Sequence, residues 1–177
     1  MAELRLARPS DAGAIEELMK ASARELFPRY YDERQTASGV EHIAELDTQL
    51  IEDGTYFVHE AEGEIVACGG WSRRYKPWAG EVPSEEDDAR LLDPRTEPAR
   101  IRAMFVRGDW TRRGLGRAIL AASANAARAE GFRELILGAT GPGEPLYRAC
   151  GFEEKERIAV KLPDGVKVDC VVMSATL

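Results

Sequence analysis

Residues 101 to 131 change pattern in a way that few folds accommodate. Ile101 to Val106 reads as a short β-strand, and Gly114 to Glu130 as an alanine-rich helix ended by Gly131. Between them lies Arg107-Gly-Asp-Trp-Thr-Arg-Arg113. The first turn of a helix offers N–H groups with no partner inside the helix, at the positive end of its dipole. Gly114 and Gly116 carry no β-carbon, so an anion can come close to the backbone. Arg112, Arg113 and Arg117 add positive charge. Together these features suit a pyrophosphate. The turn is no P-loop, which needs a lysine after its last glycine. Nor is it a dinucleotide fingerprint, because Arg117, Ala118 and Ile119 follow Gly114-Leu-Gly116. The other reading of the turn alone is a helix start whose glycines only assist packing.

The rest of the chain sets this turn in a mixed sheet. Leu4 to Ala7 is a strand candidate, and Pro9-Ser10-Asp11 reads as a helix start before Ala14, Ile15, Leu18, Met19 and Ala23. Phe27-Pro28 closes that helix, and a second is expected over Val40 to Ile51, capped by Gly54. Tyr56 to Glu60 and Ile65 to Ser72 form a hairpin across Glu62-Gly63. Residues 73 to 99, with prolines and the acidic run Glu85-Glu86-Asp87-Asp88, read as a long loop. After the central helix come a strand at Leu135 to Gly138 and a short helix at Pro145 to Cys150, capped by Gly151. Ile158 to Leu162 and Val166 to Met173 pair across Pro163-Asp164-Gly165. This order predicts an α/β (α+β) fold with helices on both faces of a mixed sheet.

Composition excludes several classes of function. The 177 residues suit a single domain, residues 1–177, and a net charge of -7 argues against a nucleic-acid partner. Cys68, Cys150 and Cys170 are far apart and His42 and His59 are the only histidines, so neither a metal site nor a disulfide framework is expected. No apolar run approaches the ~18–20 residues that span a bilayer, and the start lacks a signal-peptide pattern. No membrane partner and a cytoplasmic location are expected.

Two motifs together resemble a known family. Met104-Phe-Val106, followed by Arg-Arg-Gly-Leu-Gly-Arg-Ala-Ile-Leu, resembles the acetyl-CoA-binding motif of the GNAT acetyltransferases, Q/R-x-x-G-x-G/A after a strand. Two registers can be drawn: in the one that better matches the strand spacing the Q/R position falls on Thr111, an unusual residue there, and in the other Arg113 to Ala118 satisfies the pattern. Leu146-Tyr-Arg-Ala-Cys-Gly-Phe152 resembles the family's second hallmark, L/F-Y-x-x-x-G-F. The resemblance implies a GNAT-like fold with a mostly antiparallel sheet of about seven strands. It implies acetyl-CoA as cosubstrate and an N-acetyltransferase acting by direct attack in a ternary complex. The acceptor is a small-molecule amine or a protein amine, the small molecule being favoured. The exposed final strands would support a homodimer.

Residue by residue, the resemblance pairs the backbone of Met104, Phe105 and Val106 with the pantetheine arm. It places the pyrophosphate on Arg112, Arg113, Gly114, Leu115, Gly116 and Arg117. Tyr147 lies near the sulfur as the acid for the leaving thiolate. Arg107 is a candidate nucleotide contact. Thr140 stands near the position of an asparagine that touches pantetheine in many relatives, and Arg100 where a glutamate often serves as base. Glu60 and the acidic run are then the candidate bases, with a water chain as another route. Trp71, Trp78 and Trp110 are candidates for a pocket wall, and Cys150 is read as structural. The alternative function is a CoA-binding sensor or interaction module without catalysis.

Overall fold

The computed structural model describes residues 2–76 and 90–177. Trp78 and the acidic run Glu85 to Asp88 lie outside them. Seven strands form one sheet: β1 (Glu3–Leu6), β2 (Tyr56–Ala61), β3 (Glu64–Ser72), β4 (Ala99–Val106), β5 (Glu134–Ala139), β6 (Glu153–Lys161) and β7 (Lys167–Thr176), in the order β1-β2-β3-β4-β5-β7-β6. Every neighbouring pair is antiparallel except β4 and β5. The expected mixed, mostly antiparallel sheet is therefore present.

A core cluster lies on each face, and a third, smaller one joins Val160, Leu162, Val166, Val168 and Cys170 of β6, β7 and their turn. Helix α1 (Ala12–Leu26) turns Ile15, Leu18, Met19 and Ala23 onto Tyr56, Val58 and Cys68. The long helix α4 (Leu115–Ala129) covers the other face, where Leu120 and Ala127 pack with Ile101, Leu135 and Leu137. Burying each of the larger side chains contributes roughly 1.5–3 kcal/mol. The two cores exchange residues of β4 at a bulge. Cys68 faces Phe105 while Gly70 faces Arg102, so β4 holds an extra residue there. Ala103 absorbs it with φ of 50°. Ile101 therefore belongs to the α4 core, whereas Phe105 packs on the α1 core.

The second helix differs from expectation. Helix α2 covers Glu33–His42 and helix α3 only Gln49–Glu52, with irregular chain between them. The reason is a capping box: Asp32 accepts from the Gln35 N–H at 2.8 Å, while the Gln35 side chain accepts from the Asp32 N–H at 3.0 Å. Ile43 and Leu46 pack on the core from the irregular stretch, so their spacing imitates a helical face. Strand β6 begins at Glu153, five residues before the Ile158 expected. Its first five residues are exposed on both faces, as an outer strand allows, and carry no apolar alternation to read. The stretch read as a loop over 73–99 contains a bridge between Arg74 and Leu91, and β4 starts within it at Ala99.

Candidate active site

The parallel pair β4–β5 opens the site. Its pairing runs through Ala99 with Leu135 and Arg100 with Ile136 and goes no further. Beyond that point the strands part, and a cleft of about 1060 Å³ runs between them. The Arg107 N–H bonds the Val66 carbonyl at 2.9 Å, toward β3. Strand alternation therefore turns the N–H groups of Val106 and Met104 the other way, toward the open edge. The Val106 carbonyl on that edge accepts from the buried Ser22 hydroxyl at 2.9 Å.

The turn after β4 closes one end of the cleft. A short 3₁₀ turn at Gly108–Trp110 is followed by Arg112 with φ of 63° and Gly114 with φ of 80°. Gly114 caps α4, and the left-handed conformation at that position suits glycine. Gly116 has a different use. A β-carbon there would lie 2.7 Å from Leu146 Cδ2, so its absence lets α4 meet the short helix α5 (Glu144–Ala149). Arg112 and Arg117 line the cleft and are exposed.

Arg113 does not line it. Its guanidinium stacks 4.4 Å above the Trp110 ring and donates to the Asp109 carbonyl at 3.3 Å. Arg107 is likewise engaged, bridging Asp109 at 2.6 Å and Glu64 at 2.8 Å. The Thr111 hydroxyl donates to the Gly108 carbonyl at 2.9 Å and so holds the turn.

Helix α5 brings Tyr147 to the cleft wall. Its ring is 7% exposed, packed edge-on to Phe152 with centroids 5.7 Å apart. Burial pushes its phenol above the ordinary value of 10, with nearby Cys150 adding to the shift. Thr140 lines the same wall, and its carbonyl accepts from the N–H groups of Gly143 and Glu144, which starts α5. Close by, the Tyr56 hydroxyl donates to the Ala103 carbonyl at 2.5 Å, fixing the bulge from behind.

The other end of the cleft is lined by the α2–α3 connection and the start of β4. Among the described residues, Glu45 and Asp47 are the carboxylates that line it. Asp47 lies 3.7 Å from Arg102 and 3.8 Å from Lys76. The expected helix over Val40 to Ile51 hid both acids. Arg100 also lines the cleft, with its guanidinium 5.1 Å from the Tyr75 ring centre. Glu60 is elsewhere, paired with Arg5 at 2.8 Å. Trp71 is core, packed on Phe132, whereas Trp110 does line the cleft. Cys150 packs half-buried against the core. Among the described residues there is no metal-binding group of His, Cys, Asp or Glu, and no helix is long and apolar enough to cross a membrane.

Known proteins share this architecture. A GCN5-related N-acetyltransferase structure from Rhodopseudomonas palustris superposes with a TM-score of 0.74 at 19% identity, over 100% of this chain and 96% of its own. The PaiA N-acetyltransferase of Thermoplasma acidophilum, solved in complex with coenzyme A, gives 0.72 at 11% identity over 100% and 99%. YncA of Salmonella typhimurium, solved with acetyl-CoA, gives 0.65 at 18% identity over 100% and 94%. No curated protein matches the sequence. The model of the acetyltransferase (GNAT) family matches residues 14–152, so this chain belongs to the GNAT family of acetyl-CoA-dependent acyltransferases.

Proposed function

We propose that this chain is a single-domain, cytoplasmic N-acetyltransferase that moves an acetyl group from acetyl-CoA to a primary amine, favouring a small-molecule acceptor, by direct attack in a ternary complex. The observation that carries this reading is the cleft between the parted strands, which joins the first turn of α4 to Tyr147. An elongated nucleotide thioester fits those residues. The N–H groups from Gly114 to Arg117, with the side chains of Arg112 and Arg117, hold the diphosphate. The open edge at Met104 and Val106 takes the pantetheine amides as an added strand would, beside Phe105 and with Thr140 opposite.

The chain's groups then act on the reaction in turn. Asp47 binds the acceptor ammonium and passes its proton to water, since a neutral amine is the nucleophile. An edge N–H of β4 donates to the thioester oxygen as charge grows there. The new C–N bond forms as the C–S bond breaks; Tyr147 gives its proton to the departing sulfur, and the proton released from the acylated nitrogen restores the phenol through water. Because burial keeps its phenol protonated, Tyr147 remains a donor throughout the physiological range. The outer strand β6 is the surface for a homodimer.

The sensor reading draws its support from Arg100, which stands in the place of a carboxylate. Titration calorimetry of the protein with acetyl-CoA, on the wild type and on Gly114→Val, tests the binding half. Binding that is lost in the variant supports the reading; equal binding, or none in either, refutes it.

A further inference from the structure

His59 lies outside the cleft and has no part in the chemistry above. It sits on β2, opposite Ala67, which in turn faces Val106 at the end of β4. Its ring is 4% exposed. Nε2 lies 3.2 Å from the carbonyl oxygen of Leu115, the first residue of α4. A carbonyl only accepts, so Nε2 carries the hydrogen and Nδ1 bears the lone pair. Nδ1 is buried and has no hydrogen-bond partner among the described residues. An apolar side chain would fill the same space without stranding a ring nitrogen, so packing alone does not account for an imidazole here.

The bonded atom explains its use. The Leu115 carbonyl and the Gly116 N–H belong to one peptide unit. A donor on the carbonyl fixes the plane of that unit and draws charge from its N–H, which strengthens the bond that the N–H makes on its far side. Gly116 has no side chain, and Leu146 fills the space a β-carbon would need. The peptide is thus held by His59 behind and by Leu146 at its flank. We propose that His59 is a positioning residue for the donor's diphosphate, aiming and polarising the Gly116 N–H through the Leu115 carbonyl. This rests on the reading that the first turn of α4 binds that diphosphate.

The test compares acetyl-CoA with S-acetylpantetheine, a thioester that lacks the diphosphate, in steady-state assays of the full chain. His59→Leu and His59→Phe, which differ in volume, remove the donor; His59→Gln keeps an N–H at similar reach. Losing one such bond raises the KM for acetyl-CoA roughly five- to tenfold. The kcat stays within about twofold, the KM for S-acetylpantetheine is unchanged, and His59→Gln recovers most of the loss. Equal weakening for both donors, no change, or a Gln variant no better than Leu overturns the proposal. The wild type separates the two readings. If it shows no preference for acetyl-CoA over S-acetylpantetheine, the diphosphate site at α4 itself fails.

Discussion

Replacing Tyr147 with phenylalanine separates chemistry from folding at a single oxygen. The ring stays where it is, edge-on to Phe152 at 5.7 Å and close enough to Gly143 that a β-carbon there would lie 2.9 Å from Cε2. The residue lines the cleft, and its hydroxyl makes no hydrogen bond to any described residue. Removing it therefore strands no partner, and stability changes by no more than about 0.5 kcal/mol. Catalysis loses a donor that acts as charge develops on sulfur. Such a donor is worth about a hundredfold in kcat, or ~2.7 kcal/mol of barrier. The KM for acetyl-CoA holds, because the lost interaction is made in the transition state. Thiol release followed with a chromogenic disulfide gives kcat, and a thermal melt gives stability. A kcat within about twofold of wild type would remove Tyr147 from the mechanism. A fall in melting temperature that tracks the fall in rate would reduce it to a packing residue.

Other consequences follow from named contacts. Asp47→Asn raises the acceptor KM about tenfold and leaves that for acetyl-CoA alone, as initial rates against each substrate will show. Gly70→Ala drives a β-carbon onto the Thr55 carbonyl, which cannot yield; the cost is roughly 3 kcal/mol, or a melting temperature lower by about 10 °C. Acid lowers stability in two stages, read from melting temperature against pH. His59 has its pKa lowered from 6.5, mainly by burial, so its unfolded form binds the extra proton and its contribution, full above that pH, is lost as pH falls below it. Asp53, bonded to Arg74 at 2.8 Å, has its pKa lowered from 3.8 by that partner. Its contribution is full above that value and is lost as pH falls through the native pKa. His59→Gln removes the first stage only, and Asp53→Asn lessens the second, which Asp11 beside Arg5 and Glu144 beside Arg148 share.

The parts of the site that were legible in the sequence are those built by local rules. A strand, a glycine-bearing turn and an alanine-rich helix are written in adjacent residues, so the edge at Met104 to Val106 and the start of α4 could be placed before any contact was known. Tyr147 was singled out by the resemblance of Leu146 to Phe152 to the family's L/F-Y-x-x-x-G-F hallmark. What escaped depends on partners distant in sequence. The bulge at Ala103 exists because β3 and β4 differ by a residue across Gly69, which no property of β4 alone announces. Arg113 looked like a phosphate ligand until Trp110 captured it. Asp47 was masked by Ile43, Leu46 and Leu50, whose helical spacing comes from an irregular stretch and the separate short helix α3, both packed onto the core. One signal was present and missed: Asp32 and Gln35 form a capping box three residues apart, and it starts α2 well before Val40. His59 gave no sign, because its partner carbonyl lies 56 residues away.

In the proposed function the cleft passes an acetyl group from acetyl-CoA to an amine held near Asp47. The most direct measurement is free-thiol release from acetyl-CoA over a panel of small primary amines, with the acetylated product weighed by mass spectrometry. The expected result is acceptor-dependent release, one thiol for each acetylated amine, slowed about a hundredfold in Tyr147→Phe. Tight binding of acetyl-CoA with no acceptor-dependent thiol across the panel would contradict it, and would leave a protein that binds the thioester without using it.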